Sequence, residues 1–173
     1  CGAGVVSAAH ATTAALLGLQ VVAVASRTLT RARDVARRTG GLPTTLDEFV
    51  PTADLVVVST PPARHLPDVR SALEQSTAVM VEKPLCTTLR DADELVALSE
   101  HSGHRMLYAD NVVHAPVLRE FVRRVPSLGP LRDLEIRIIN PAPTWRSSPR
   151  SEWGGGVLLD LGVQAFAIAC LLY

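Results

Sequence analysis

The sequence predicts an α/β chain organised on a doubly wound parallel sheet, and three observations predict it. Short apolar runs rich in β-branched residues recur at Leu19–Ala25, Asp54–Thr60, Thr77–Val81 and Arg105–Ala109. Helical stretches stand before, between and after them, at Val5–Leu17, Leu29–Thr39, Ala63–Glu74, Leu89–His101 and Val113–Val125. A glycine turn, Gly2-Ala3-Gly4, opens the first helix. A helix between two strands carries the chain back across the sheet, so this alternation gives parallel strands covered by helices.

The first element, Gly2-Ala3-Gly4-Val5-Val6-Ser7, has the G-x-G-x-x-G/A spacing of a dinucleotide fingerprint, with Ser7 at the third small position. Gly2 permits the tight turn, Gly4 lets a pyrophosphate approach the backbone, and Ser7 is small enough for the helix to pack closely on its strand. The helix begins at Val5, ends before Gly18, and turns its N-terminus to the phosphate. The strand Leu19–Ala25 then ends at Ser26-Arg27-Thr28. About twenty residues after the glycines, an NAD-binding chain carries Asp or Glu for the ribose hydroxyls. Ser26 and Arg27 stand there instead, and a hydroxyl with a guanidinium suits a 2′-phosphate, so NADP is the expected cofactor and NAD the alternative.

Further along, the second apolar run closes on Thr60-Pro61-Pro62, a turn that leads into a helix bearing His65. The third ends in Glu82-Lys83-Pro84, and Thr88 is placed to cap the helix that stops before Gly103. Asn111 follows the last of these strands. Beyond Val125, the alternation of Leu134, Ile136 and Ile138 with Glu135, Arg137 and Ile139 predicts a strand over Leu131–Asn140. A proline-rich loop, Asn140–Pro149, leads to Trp153-Gly154-Gly155-Gly156 and an apolar helix whose single charge is Asp160. Residues four apart in a helix lie about 40° apart around its axis, so Asp160 and Gln164 share one face.

Composition sets bounds on function. The chain has 173 residues, with 17 basic and 17 acidic ones, so no net field argues for nucleic acid or a membrane surface as partner. Its apolar C-terminal stretch is short of a membrane span and is interrupted by Asp160. Cys1, Cys86 and Cys170 have no metal-ligand spacing and are read as reduced thiols of a cytoplasmic protein, with no metal site. Lys83 is the only lysine among the 17 basic residues. Where arginine is otherwise used throughout, a retained lysine marks a role that arginine cannot fill, such as passing a proton.

Four motifs stand in order: the glycine turn, Thr60-Pro61-Pro62 with His65, Glu82-Lys83-Pro84, and Gly154-Gly155-Gly156 with Asp160 and Gly162. Together they resemble the glucose–fructose oxidoreductase/inositol dehydrogenase (Gfo/Idh/MocA) family of NAD(P)-dependent oxidoreductases, over essentially the whole chain. The resemblance implies a Rossmann domain at 1–125 with its opening strand missing. It implies the start of a C-terminal α/β substrate and dimerisation domain at 126–173. The chain is accordingly read as a fragment of a longer product that forms a homo-oligomer when complete.

The resemblance also implies roles. Gly2, Gly4 and Val5 would hold the pyrophosphate, and Ser26 and Arg27 the adenosine ribose. Thr60, Pro61 and His65 would line the nicotinamide side, and Glu82 would contact the nicotinamide ribose. Lys83, Asp160 and Gln164 would form the catalytic and substrate-binding group, with Asn111 beside the substrate. Many family members carry a histidine at the position of Gln164, and a glutamine cannot take up a proton near neutrality.

Two functional readings follow. One is an enzyme that moves a hydride between NADP(H) or NAD(H) and a secondary alcohol or ketone of a sugar, polyol or similar small molecule. The alternative is a non-catalytic nucleotide-binding or redox-sensing paralogue that lost the acid/base histidine.

Overall fold

The computed structural model describes residues 1–49, 52–75, 77–103, 106–140 and 155–173. Five short strands and six α-helices alternate in it. Helix α1 (Val5–Leu16) precedes β1 (Ala23–Ser26), α2 (Leu29–Thr39) and β2 (Leu42–Thr45). Strand β3 (Leu55–Val58), helix α3 (His65–Glu74), β4 (Ala78–Glu82), α4 (Leu89–Ser102) and β5 (Met106–Ala109) follow. Helices α5 (Pro116–Arg124) and α6 (Val163–Leu172) complete the set.

All strand pairs are parallel. β1 pairs with β2 from Ala23↔Leu42, β3 with β4 from Leu55↔Ala78, and β4 with β5 from Val79↔Met106. The two sheets, β1-β2 and β3-β4-β5, meet along the Cys1-Gly2 backbone. Gly2 N–H donates to the Ala25 carbonyl at 2.8 Å, and the Cys1 carbonyl accepts from Ser59 N–H at 2.8 Å. The Cys1 amino group donates to the Val57 carbonyl. The glycine turn is thereby seated between the ends of β1 and β3.

Period-2 burial in the strands explains the core. Val56 and Val58 of β3 and Val79 and Val81 of β4 point to one face, where Val69 and Leu73 of α3 and Leu95 of α4 cover them. Each such side chain contributes about 2 kcal/mol on leaving water. A second cluster, Ala11 of α1 with Val24, Ala32, Val35 and Ala36, packs α1 and α2 on β1. Helix ends follow local chemistry. The Thr88 hydroxyl accepts from Asp91 N–H at 3.1 Å, and Gly40 and Gly103 end α2 and α4 in the left-handed region.

Several expectations need correction. The first strand starts at Ala23 rather than Leu19, because the ladder with β2 begins there and Leu19 stays 57% exposed. β2 carries no apolar run, and its Pro43 is accommodated because β2 pairs on one side only among the described residues. Residues 111–114 form a 3-10 turn, so α5 begins at Pro116 instead of Val113. The predicted strand at 131–140 is neither strand nor helix: its alternation is present, but a ladder needs a partner, and none lies among the described residues. The proline-rich loop beyond residue 140, with Trp153 and Gly154, lies outside the described residues.

Candidate functional site

Three segments converge at the C-terminal ends of the parallel strands, the side of an open α/β sheet where loops and helix N-termini meet. They are the turn after β4, the turn after β5, and the helical segment that begins near residue 156. Lys83 follows β4, and its ammonium donates to the Asp160 carbonyl at 2.8 Å and to Asp160 Oδ1 at 3.2 Å. Asn111 follows β5, and its Oδ1 accepts from Gln164 Nε2 at 3.4 Å. Lys83 and Asp160, 77 residues apart in sequence, and Gln164 and Asn111, 53 apart, are therefore brought to the same end of the sheet. The side chains of Lys83 and Asp160 are 21% and 20% exposed, enclosed enough for their charges to need each other and open enough for a small molecule to reach.

The helical segment has its own correction. Leu158–Gly162 is a π-helical turn, and regular α-helix starts only at Val163. In a π turn the hydrogen bond spans one residue more than in an α-helix, which changes where each carbonyl points. Asp160 sits in the middle of this turn, with its carbonyl and its carboxylate both on the lysine. Gly156 enters the segment at φ +60°, a conformation that suits glycine.

Glu82 is set differently. Its Oε2 accepts from Lys83 N–H at 3.1 Å, and its Oε1 lies 2.7 Å from His10 Nε2 on α1. Nearby Tyr108 is pushed up to about 12 by burial, with Asp110 and Glu82 adding to the effect, so its phenol keeps its proton at neutral pH. Asp110, 2% exposed, caps the 3-10 turn by accepting from Val112 N–H at 3.1 Å, and so presents Asn111.

At the other end, the glycine turn leaves open backbone at the start of α1. Gly2 holds φ +112°, and a Cβ there would lie 2.7 Å from the Ser59 carbonyl oxygen. Gly4, the cap of α1, has nothing within 4 Å of where its Cβ would be. Val5 is 60% exposed at the first helical position. The open space over Gly4 fits a dinucleotide pyrophosphate and would be filled by any side chain. Ser7 Oγ accepts from Gly4 N–H at 3.2 Å and lies 2.8 Å from Ser59 Oγ, which ties the helix start to β3. An open depression of about 330 Å³ beside the turn is lined by Ala3, Gly4, Val5, Ala8, Arg31, Asp34 and Val35. Of the expected ribose contacts, Ser26 is 7% exposed and its Oγ accepts from Thr28 N–H at 3.4 Å, while Arg27 is exposed.

Thr60 and His65 are drawn into the protein instead. Thr60 Oγ1 donates to Asp68 Oδ2 at 2.6 Å. His65 is 1% exposed, with Nε2 2.8 Å from the Thr60 carbonyl and Nδ1 2.9 Å from the Pro84 carbonyl. Both ring nitrogens are engaged, so the ring clamps the loop after Lys83 to the end of β3, with Pro61 half-buried beside it. The Lys83–Pro84 bond within that loop is cis. Replacing His65 with Leu removes the ring's N–H donor from between two buried carbonyls, and the expected cost is about 3 kcal/mol. Thermal unfolding of H65L should show the midpoint lowered by roughly 5–10 °C; an unchanged midpoint would remove the clamp.

Sequence reasoning did not find His10, Ser59, Arg31 or Asp34. A helical face of Ser7, His10 and Ala11, spaced i, i+3, i+4, was the available signal for His10. Among the described residues no group of three or more His, Cys, Asp or Glu could hold a metal ion, and no helix is long and apolar enough to cross a membrane.

Known proteins resemble this chain in sequence and fold. The sequence model of the oxidoreductase family with an NAD-binding Rossmann fold, Gfo/Idh/MocA, matches residues 1–109. A dTDP-3,4-didehydro-2,6-dideoxy-α-D-glucose 3-reductase of Saccharopolyspora spinosa is 34% identical over 83% of this chain and 45% of its own length. A trans-1,2-dihydrobenzene-1,2-diol dehydrogenase of Sus scrofa is 30% identical over 89% of the chain and 48% of its own. The chain thus spans about half the length of the curated relatives it matches. Among solved structures, GenD2 from gentamicin A biosynthesis, in complex with NAD, superposes with a TM-score of 0.81 at 28% identity, over 99% of this chain and 51% of that one. KijD10, a 3-ketoreductase of Actinomadura kijaniata with TDP-benzene and NADP, in its open conformation, gives 0.69 at 30% identity, over 89% and 48%.

Proposed function

The chain belongs to the Gfo/Idh/MocA family of oxidoreductases with an NAD-binding Rossmann fold, and on that premise we propose that the whole protein interconverts a ketone and a secondary alcohol on a sugar-like small molecule. The observation that carries the reading is the Lys83 ammonium held against Asp160 at the strand ends, beside the Gln164–Asn111 pair. Support for a sugar comes from the relatives named as 3-reductases of a dTDP-linked keto sugar. In this reading residues 1–125 bind the dinucleotide, and residues 126–173 begin the part that meets the substrate.

Gly2, Gly4 and Val5 would hold the pyrophosphate and Glu82 the nicotinamide ribose, and the dinucleotide, when bound, supplies or accepts the hydride. Lys83 does the proton work. An ammonium carries three N–H bonds, and the contacts to Asp160 use two of them. The third donates to the substrate oxygen. As a ketone gains hydride at carbon, that proton passes from Nζ to the oxygen, which becomes the hydroxyl; oxidation runs the same transfer in reverse. Asp160 fixes the lysine in place through its carbonyl and its carboxylate. Gln164 and Asn111 offer carboxamides that orient neighbouring hydroxyls without exchanging protons.

For the cofactor we favour NADP, on Arg27 at the end of β1. The test is an assay of the full-length protein on a panel of keto sugars with NADPH and with NADH. The expected result is turnover with a kcat/KM for NADPH at least tenfold above that for NADH, about 1.4 kcal/mol, and R27A should erase most of that difference. A preference for NADH overturns the cofactor assignment. No turnover with either dinucleotide on any keto sugar counts against the reaction.

A further inference from the structure

We infer that His10, on the helix that begins at the glycine turn, is a positioning residue for Glu82 and, through it, for the lysine loop. The inference rests on the oxidoreductase reading. Helix α1 rises about 1.5 Å per residue, which puts His10 roughly 9 Å along the axis from Gly4. On that helix Ser7, His10 and Ala11 fall on one face. Ser7 meets Ser59 at the end of β3, and His10 reaches over to Glu82 at the end of β4. The two side chains of that second contact are 26% and 18% exposed, and the separation of 2.7 Å is that of a charge-assisted hydrogen bond. An imidazole with a hydrogen on Nε2 donates to the carboxylate in either its neutral or its charged form, so the contact does not depend on the ring being charged.

The carboxylate is thus held from two sides: His10 takes Oε1, and Oε2 accepts from the Lys83 backbone N–H at 3.1 Å. The result is a continuous chain of contacts from the pyrophosphate helix to the reacting end of the site. It runs His10, Glu82, the Lys83 backbone, the Lys83 ammonium and Asp160. Without His10, Oε1 loses its donor and Glu82 is held from one side only. The ribose contact proposed for Glu82 then weakens, and the Lys83 backbone loses a fixed acceptor. His10 itself touches neither substrate nor reacting atoms.

The experiment uses the full-length protein, with dinucleotide affinity from NADPH fluorescence and kcat and KM from steady-state assay. H10A should raise the dinucleotide Kd and lower kcat, each by roughly three- to tenfold, part of the worth of one charge-assisted hydrogen bond because His10 acts through Glu82. H10Q, whose carboxamide N–H can still reach Oε1, should recover most of both. In the E82A background, H10A should have no further effect on either quantity, because its partner is gone. The inference is overturned if H10A matches the wild type in Kd and kcat, if H10Q is as impaired as H10A, or if the effects of H10A and E82A simply add. A wild-type protein that does not bind NADPH or NADH at all instead defeats the functional reading on which the inference rests.

Discussion

Replacing Lys83 with methionine is expected to lower kcat by about 10²- to 10⁴-fold while leaving the dinucleotide Kd within about twofold, the range over which a positioned general acid or base acts. Methionine keeps the length and the apolar stem but has no proton to give. Steady-state kinetics beside a fluorescence titration of the cofactor separates the two quantities. K83R sharpens the result. Arginine preserves the positive charge and can still pair with Asp160, but it does not deprotonate in the physiological range. If Lys83 acts only as a fixed charge, K83R should retain most activity. The proton-transfer role requires K83R to be nearly as impaired as K83M. A K83M enzyme with wild-type turnover would dismiss the lysine altogether.

The second large effect separates the two glycines of the turn. G2A should destabilise the protein by about 4 kcal/mol, combining the strain of a positive φ with the displacement of backbone atoms by the new methyl group. The clash is specific, since a Cβ at Gly2 would lie 2.7 Å from the Ser59 carbonyl oxygen and 2.8 Å from its carbon. Total stabilities are only about 5–15 kcal/mol, so much of the G2A protein should be unfolded or insoluble. G4A should behave differently. Gly4 has φ −92°, with nothing near its Cβ position, so its unfolding midpoint should change little, by about 0.5 kcal/mol or less. The added methyl occupies the space proposed for the pyrophosphate, and dinucleotide affinity should fall at least tenfold, or about 1.4 kcal/mol. Chemical denaturation and NADPH titration of the two variants check both halves. Equal loss of stability in the two would mean that Gly4 serves the fold and not the ligand.

The pair also shows how much of the site is legible from residue order. The glycine turn could be read because each position answers a local backbone requirement, a positive φ at Gly2 and free space at Gly4. Lys83 was legible for another reason: it is the only lysine, and it ends a strand in an α/β alternation. The contacts that hold these residues were not legible. His10 and Glu82 are 72 residues apart, and Gln164 and Asn111 are 53 apart. No periodicity connects such pairs; they meet because helices and strand ends are brought together by packing. His65 was singled out through the family resemblance, but only the fold shows its ring enclosed between two carbonyls.

Strand β2 and the segment at 131–140 mark the same boundary from opposite sides. Leu42–Thr45 lacks the pattern of a strand, yet it becomes one because β1 offers a ladder to pair with. Residues 131–140 have the pattern but no described partner, and no strand forms. By itself the sequence determined the class of fold, the backbone freedom of the glycine turn, and the residue types proposed to carry the chemistry. Those properties depend on backbone sterics and side-chain composition, which are local. Tertiary structure alone decided that a π turn lays both oxygen-bearing groups of Asp160 on Lys83, and that a helix from the nucleotide side reaches Glu82. Hydrogen-bond partners far apart in the chain are selected by the geometry of packing, which no short stretch of sequence contains.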